Sequence, residues 1–261
     1  MRSRRASFIS LMALLPFFVS SIPTSAFAND MEVIAVAEPW SPYMGADLQD
    51  QGFIQELVKE VLGRGGYKVK THFVPWARAL KSVETGQADL LYGAFRTQER
   101  ERFLKFSPPI AEVNNVLLSK KSKNISYKQL TDLRPYQIGV VAGAAHGKAF
   151  DEATFLNKDR VPDNAQNFKK LMMERVDLVA GPKEVMLYRI KNEFPQYIDQ
   201  FEVLSPPLST TEVHIGFSKA VERHQKLYDA FVNGLNQMTK DGSYARIAKK
   251  HGIDYRPSVA P

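Results

Sequence analysis

The stretch GQADLLYGAFRTQERERFLKFSPPI, residues 86–110, contains a short apolar run that passes abruptly into a cluster of charged residues. Residues 89–95 are almost all apolar, and a short apolar run between turn residues is typical of a buried strand. Arg96, Arg100 and Arg102 follow directly after it. Either these arginines form a solvated loop, or the end of the strand holds one of them over a binding cleft.

Strand and helix patterns alternate on both sides of this stretch. Apolar residues recur at helical spacing over residues 53–62, and the pair Gly65–Gly66 ends that helix. The other predicted elements are strands at 32–37, 67–74, 115–119, 137–143, 176–180, 201–204 and 213–217 and helices at 77–85, 165–174, 184–193 and 220–250, the last broken at 241–242. This alternation predicts an α/β fold with crossover helices on a parallel sheet.

Two α/β lobes are expected, because the chain crosses between two such units at 116–120 and again at 204–213. We predict that residues 29–118 and 212–261 form the first lobe and residues 119–211 the second, with the two crossover segments as a hinge. Ligands of open α/β sheets bind beyond the carboxyl ends of the strands. The candidate site is therefore formed by the strand ends at 40–43, 95–100, 143–146 and 181–182.

Residues 1–28 have the composition of a secretory signal peptide, with a basic start, an apolar run and small residues before a cleavage site after Ala28. Cleavage there predicts a periplasmic protein. The chain has no cysteine, which excludes a lipid-modified cysteine, disulfides and thiolate metal sites. The formal net charge of +7 includes three arginines in residues 1–28, so 7 − 3 = +4 remains. This mild charge has no dense basic block and argues against a nucleic-acid partner.

The stretch 86–110 and the segment DGSYARIAKKHGI, residues 241–253, resemble the extracytoplasmic solute-binding proteins of family 3, the polar amino-acid-binding proteins of ABC transporters. The first stretch is similar to the family's G-x-x-D strand followed by T-x-x-R and F-S-x-P. The second is similar to its D-G-T-Y-x-x-I-x-x-K-Y/H-G ending. The resemblance covers nearly all of the chain after residue 28, and it implies a two-lobed type II periplasmic-binding-protein fold that closes on a small ligand.

The resemblance also implies roles for individual residues. The arginine of T-x-x-R is Arg100 here, and it would hold the carboxylate of the ligand. A guanidinium suits this role because its planar fork donates two parallel hydrogen bonds to a carboxylate. Trp40 and Trp76 occupy the positions of the aromatics that enclose the ligand side chain, where flat rings offer a large contact area.

Three positions depart from the family's pattern. Phe95 replaces a small hydroxyl residue, Ala144 and Ala145 replace a serine or threonine, and Pro182 stands near the acid that pairs with the ligand's ammonium. A buried ammonium without a carboxylate partner costs roughly several kcal/mol. The departures therefore predict a small carboxylate-bearing or otherwise anionic ligand with an apolar or aromatic body, in preference to an ordinary polar amino acid.

Tyr43, Arg78 and His146 complete the predicted set of ligand-binding residues. Tyr43 lies in the same turn as Trp40, Arg78 follows a helix start as a second anion contact, and His146 follows a strand where a helix N-terminus could meet an anion. Core packing is the alternative for Tyr43 and Trp76, and a surface position is the alternative for His146. The five histidines show no metal-ligand spacing, so we expect no metal and no other cofactor.

The expected function is capture of a ligand for transport, without catalysis, by a monomer that serves an inner-membrane ABC permease. One alternative is a periplasmic dehydratase acting on prephenate or arogenate, as in some relatives with this fold, with Glu38 and Glu184 as proton donors or acceptors. Another alternative is a ligand-sensing module for a membrane receptor. The sequence contains no Ser-His-Asp order, nucleophile elbow or phosphate loop.

Overall fold

The computed structural model describes residues 31–253, 255 and 257. The predicted signal peptide at residues 1–28 lies outside these residues and stays a prediction. Among the helices that the structure describes, none has both the length and the apolar character needed to cross a membrane.

Ten strands and seven α-helices form within the described residues. The strands are β1 Glu32–Ala37, β2 Lys68–Phe73, β3 Leu90–Ala94, β4 Leu104–Phe106, β5 Ala111–Lys120, β6 Gln137–Val141, β7 Asn157–Val161, β8 Leu178–Pro182, β9 Phe201–Val203 and β10 Ser209–Ser218. The helices are α1 Phe53–Gly63, α2 Trp76–Glu84, α3 Lys148–Glu152, α4 Asn164–Met172, α5 Lys183–Glu193, α6 His224–Lys240 and α7 Ser243–Lys250. Their alternation confirms the predicted α/β class.

The first sheet is built around β1, which runs parallel to both of its neighbours, β2 and β3. The carboxyl-terminal part of β10 adds an antiparallel strand beside β3 and also pairs with β4. Helix α1 covers this sheet, and its fully buried residues include Ile54, Leu57, Val58 and Val61. This spacing puts the apolar side chains on one face, so that the helix packs against β2 and α6.

The second sheet has the order β5, β8, β6, β7, with β6 parallel to β7 and β8 and with β5 antiparallel to β8. Its two faces are both buried. Leu178 of β8 belongs to one hydrophobic cluster, whereas the next residue, Val179, belongs to another that contains Phe168 of α4. Successive side chains of a strand point to opposite faces, so the helices cover both sides of this sheet.

Two adjacent strands, β5 and β10, connect the sheets. Residues 111–115 of β5 pair antiparallel with residues 209–213 of β10. From that paired segment, β5 continues into the second sheet and β10 into the first. The parallel arrangement predicted from the sequence therefore holds around β1 and β6, while the connecting strands make the whole arrangement mixed.

The predicted lobe division, 29–118 with 212–261 and 119–211, stays a prediction. Residues 115–119 already pair with β8 of the second sheet, and residues 209–213 pair with β5. This pairing favours a crossing between the lobes within residues 111–115 of β5 and 209–213 of β10. On β5, that crossing lies a few residues before residue 118.

Three short elements lack a signal in the sequence analysis. β4 and α3 span three and five residues, which is too short for a period to be recognised. β7, with the sequence NKDRV, is mostly polar and lies at the edge of the second sheet. An edge strand tolerates polar residues because one of its sides faces solvent.

We predict that Gly234→Ala lowers the free energy of unfolding by about 1–3 kcal/mol. Gly234 lies where α6 contacts α1, and a Cβ at this position would come within 2.4 Å of the Val61 backbone oxygen. Because the obstructing atom belongs to the backbone, the two helices must move apart. Denaturant unfolding of the variant and of the wild type measures the change.

The matched control is Gly63→Ala, at the end of α1, where a Cβ would meet no atom within 4 Å. We expect this variant to be as stable as the wild type or slightly more stable, since alanine favours a helix over glycine. Equal stabilities of the Gly234 and Gly63 variants would contradict the proposed close contact of the helices.

Candidate functional site

A cavity of about 60 Å³ lies where the strand ends of the two sheets meet. Seven of the nine predicted ligand-binding residues line it, namely Trp40, Trp76, Phe95, Arg100, Ala144, His146 and Pro182. The first four follow β1 or β3 or begin α2, beside the first sheet. Ala144 and His146 follow β6, and Pro182 is the last residue of β8, both strands of the second sheet. The structure therefore brings both sets of strand ends into one site.

One wall of the cavity is the turn that follows β1. Trp40 and Met44 form a bridge, in which the Trp40 amide donates a hydrogen bond of 2.7 Å to the Met44 carbonyl. The Trp40 ring contacts Tyr43 at a centroid distance of 4.7 Å and Phe95 edge-on at 6.0 Å. Gly93 permits this packing, because it has a φ of +67° and a Cβ there would lie 2.8 Å from Met44 Cε.

Arg100 is the buried cation of the cavity, with 5% of its surface exposed. Nη1 donates a hydrogen bond of 2.8 Å to the Phe95 carbonyl, and Nη2 donates one of 2.7 Å to the Gly143 carbonyl. No carboxylate among the described residues forms an ion pair with it. Burial lowers the pKa of Arg100 to about 10, so the side chain is still cationic at neutral pH.

The local structure explains how Arg100 is separated from the neighbouring arginines. The Thr97 hydroxyl accepts a hydrogen bond of 3.3 Å from the Arg100 amide, just before a short 3-10 turn at Arg100–Arg102. Arg96 and Arg102 remain exposed, and Arg96 forms an ion pair with Glu101. Of the three arginines that follow β3, the structure thus turns only Arg100 into the cavity.

Trp76 lines the cavity and also links the two halves of the protein. Its indole Nε1 donates a hydrogen bond of 2.9 Å to the Gly143 carbonyl, which also accepts from Arg100. The guanidinium carbon of Arg100 lies 5.1 Å from the centroid of the Trp76 ring, a distance that allows a cation–π interaction. Gly143 has a φ of +74°, in the left-handed region that glycine adopts without strain.

Glu38 lines the same cavity from the position directly after β1. From the sequence, Glu38 was predicted only as a proton donor or acceptor of the dehydratase alternative. It is partly buried, and no hydrogen bond or ion pair joins its carboxylate to another described residue. Burial and the negative charge of Asp163 raise the pKa of Glu38 to about 7, against the opposing effect of Arg189. The carboxylate is therefore available to a cationic group.

His146 is 3% exposed, and Asp151 orients it. Asp151 accepts hydrogen bonds of 3.1 and 3.0 Å from the His146 amide, and its Oδ1 lies 3.5 Å from His146 Nδ1. The alternative surface position for His146 is therefore wrong. Ala144, Phe95 and Pro182 present no side-chain polar atom to the cavity, which agrees with the loss of polar contacts inferred from the sequence.

Tyr43 is buried behind Trp40 and does not line the cavity. Burial and the neighbouring Glu184 raise the pKa of its phenol. Glu184 lies in the first turn of α5 and has one buried carboxylate oxygen without a hydrogen-bond partner among the described residues. Tyr43 thus supports the Trp40 ring, and a direct contact with a ligand has no support from the structure.

Arg78 is exposed on α2 and does not line the cavity either. Trp76 faces the cavity from the first position of this helix, and two residues further along a helix point about 200° away. The prediction of Arg78 as a second anion contact therefore lacks support. Asn164, the first residue of α4, lines the cavity and was not predicted as a site residue. The sequence signal that could have indicated it is Asp163, a typical helix-capping residue that marks the start of α4.

In the part of the chain that the structure describes, no group of three or more histidine, cysteine, aspartate or glutamate side chains is arranged to hold a metal ion. The arrangement of the cavity offers one cation, one partly buried carboxylate and aromatic walls, which is suited to noncovalent binding of a small molecule.

Comparison with known proteins agrees with this architecture. The model of the family described as bacterial extracellular solute-binding proteins, family 3, matches residues 33–254. A probable histidine-binding protein of Neisseria gonorrhoeae is 26% identical over 235 residues, which cover 86% of this chain and 84% of that protein.

Solved structures show the same fold. An ancestral arginine-binding protein bound to arginine superposes with a TM-score of 0.73 at 23% identity, over 84% of this chain and 97% of that one. A histidine kinase sensor domain with similarity to periplasmic binding proteins gives a TM-score of 0.75 at 18% identity, over 86% and 98% of the two chains. The predicted type II periplasmic-binding-protein fold is confirmed. Since the family model matches most of its length, the chain belongs to the bacterial extracellular solute-binding proteins, family 3.

Proposed function

We propose that this protein captures a small carboxylate-bearing ligand between its two halves in the periplasm and delivers it to an inner-membrane ABC permease. The observation that carries the proposal is the buried guanidinium of Arg100, which has two carbonyl partners and forms no ion pair with a carboxylate of the described residues. Buried charges in proteins are normally paired, because carbonyl groups compensate only part of the lost hydration. A ligand carboxylate is the partner that this site lacks.

Glu38 extends the proposal to a second group on the ligand. Its carboxylate lines the cavity without an ion pair among the described residues, on the same wall as Trp40. A cationic group on the ligand would relieve the cost of burying this carboxylate. We therefore propose an amino-acid-like ligand with a carboxylate at Arg100 and a cationic group at Glu38, in place of the amine-free ligand expected from the sequence alone.

The names of the relatives are compatible with such a ligand. The ancestral protein was solved with arginine bound, and the Neisseria gonorrhoeae relative is described as a probable histidine-binding protein. Both ligands carry a carboxylate and at least one group that can be cationic. At identities of 23% and 26%, these names support the class of ligand for this chain and not a particular amino acid.

Two alternatives use the same cavity. The pKa of Glu38, raised to about 7, favours a dehydratase as the second candidate, because a general acid works best when its pKa is near the working pH. Turnover of prephenate that Glu38→Gln abolishes would support this candidate. A sensing module would share the ligand site and differ in its membrane partner. The fold occurs in a histidine kinase sensor domain as well as in the substrate binding protein of an amino acid ABC transporter.

Intrinsic fluorescence tests whether a ligand occupies this cavity. The chain has two tryptophans, and both line the cavity. We expect a compound that raises the unfolding temperature in a screen of amino acids and organic acids to change the tryptophan emission as well. A compound that stabilises the protein and leaves the emission unchanged would locate the binding site elsewhere.

We predict that Arg100→Ala weakens binding of such a compound by at least about 30-fold, which corresponds to the lower end of the 2–5 kcal/mol typical of a broken buried charge pair. Isothermal titration calorimetry of both proteins measures the loss. The matched control is Arg102→Ala, since Arg102 lies two residues away with an exposed side chain. Equal affinities of the two variants would contradict the role of Arg100.

A competition series tests the second group of the ligand. Each amino acid of the screen is paired with its deaminated analogue, and we expect the amine-bearing member to bind about tenfold more tightly at a pH above 7. Glu38→Gln should remove most of this preference, because its neutral amide no longer attracts a cation. If the deaminated analogues bind more tightly to the wild type, the ligand is an organic acid and Glu38 does not contact it.

A further inference from the structure

The carbonyl oxygen of Gly143 accepts two hydrogen bonds from the opposite half of the protein. The Trp76 indole Nε1 donates one of 2.9 Å, and Arg100 Nη2 donates one of 2.7 Å. Trp76 begins α2 and Arg100 follows β3, whereas Gly143 follows β6 of the second sheet. A single backbone oxygen of the second half thus binds two side chains of the first half.

Packing holds this oxygen in place. Gly143 has a φ of +74°, and a Cβ there would lie 3.3 Å from Leu80 Cδ1 and 3.7 Å from Trp76 Cδ1. Val141, the last residue of β6, belongs to the same hydrophobic cluster as Trp76. The backbone after β6 therefore packs directly on α2, and the indole N–H adds a directional bond to this apolar contact.

The direction of the Arg100 guanidinium depends on the two carbonyls that it binds. Hydrogen bonds in a buried place are stronger than in water, so the acceptors at Phe95 and Gly143 orient this side chain. Phe95 lies five residues before Arg100 in the same loop. The Gly143 carbonyl is therefore the acceptor whose position depends on the other half, and Trp76 is bonded to that acceptor while its ring centroid lies 5.1 Å from the guanidinium carbon.

We propose that Trp76 is a positioning residue for Arg100. Its N–H holds the Gly143 carbonyl and its ring supports the guanidinium, so that Arg100 is aligned for a carboxylate when the two halves are together. The inference rests on the proposed function in assigning a ligand carboxylate to Arg100. It differs from the role that the family resemblance implies for Trp76, which is to enclose the side chain of the ligand.

The two roles of Trp76 predict different losses when the indole N–H is removed. An aromatic ring that only encloses the ligand contributes contact area to any ligand of the same shape. A residue that aligns Arg100 contributes most to a ligand with a carboxylate, because a charge-assisted bidentate pair depends on the geometry of the guanidinium. The ratio of the affinities for an amino acid and for its carboxamide therefore distinguishes the two roles.

Nuclear magnetic resonance of the ligand-free protein tests the alignment itself. We expect the Nη protons of Arg100 to give separate, slowly exchanging signals in the wild type, since two hydrogen bonds restrict rotation of the guanidinium. Arg100→Lys identifies these signals by their loss. Trp76→Phe keeps a ring and removes the N–H, and we expect it to broaden the signals or remove them.

The matched control for the spectra is Trp40→Phe. Trp40 lines the same cavity, and its indole donates no hydrogen bond in the part of the chain that the structure describes. We expect this variant to keep the Arg100 signals. Signals that are unchanged in Trp76→Phe overturn the proposal, and so do Nη protons of the wild type that exchange freely with water.

Isothermal titration calorimetry with L-arginine and L-histidine, each compared with its carboxamide, measures the effect on binding. We expect the wild type to prefer the carboxylate, and Trp76→Phe to reduce this preference by about 3–10-fold, the size expected for the net loss of one hydrogen bond. Trp40→Phe should weaken both members of a pair alike. An equal loss for both members in Trp76→Phe overturns the proposal and assigns the enclosing role to Trp76.

The two measurements fail separately. If the wild type binds neither amino acid, the proposed ligand class is contradicted for these probes, while the spectra still decide whether Trp76 positions Arg100. If Trp76→Phe does not fold by circular dichroism, an isosteric replacement gives the same comparison. Trp76 is the remaining tryptophan in Trp40→Phe, so incorporation of benzothienylalanine there replaces the indole N–H by sulfur and keeps the size of the ring system.

Discussion

The buried positive charge of Arg100 is the constraint on which the site depends. Its guanidinium is almost removed from water and is held by two backbone carbonyls, from Phe95 and Gly143. These carbonyls belong to different halves of the protein, one at the end of β3 and the other just after β6. The orientation of the charge is therefore set by where two separate sheets end. The pairing of β5 with β10 determines how those sheets meet.

The stretch 86–110 could be predicted because its residues act through local mechanisms. Gly86 follows the end of α2 and has a φ of +73°, a left-handed conformation that glycine favours and that commonly ends a helix. The Thr97 hydroxyl accepts a hydrogen bond from the amide of Arg100, and the Ser107 hydroxyl donates one of 2.6 Å to the carbonyl of the next residue, Pro108. Such short motifs leave a recognisable pattern, and the strand and the arginine at its end follow from it.

Other properties of the site arise from contacts that are distant in the sequence. The indole of Trp76 points at the carbonyl of Gly143, 67 residues further along the chain, and the sequence alone did not distinguish this role from core packing. The raised pKa of Glu38 likewise comes first from burial and then from the charge of Asp163, which is 125 residues further along the chain. Arg78 was included because it follows the start of α2, but the direction of its side chain depends on how the helix packs, and it is exposed. Residue type and spacing predict which groups are available, whereas their environment comes from tertiary packing.

The path of the chain through β5 and β10 also determines the order in which the protein can be assembled. β10 is the antiparallel neighbour of β3, yet all of β6, β7 and β8 are synthesised between them. When β6, β7 and β8 of the second sheet have been synthesised, the first sheet therefore still lacks β10. Loop-closure entropy grows slowly with length, so the separation costs little stability, although the pairing of β3 with β10 is a non-local contact that closes a long loop. The cleft needs both sheets, so its formation requires this non-local pairing.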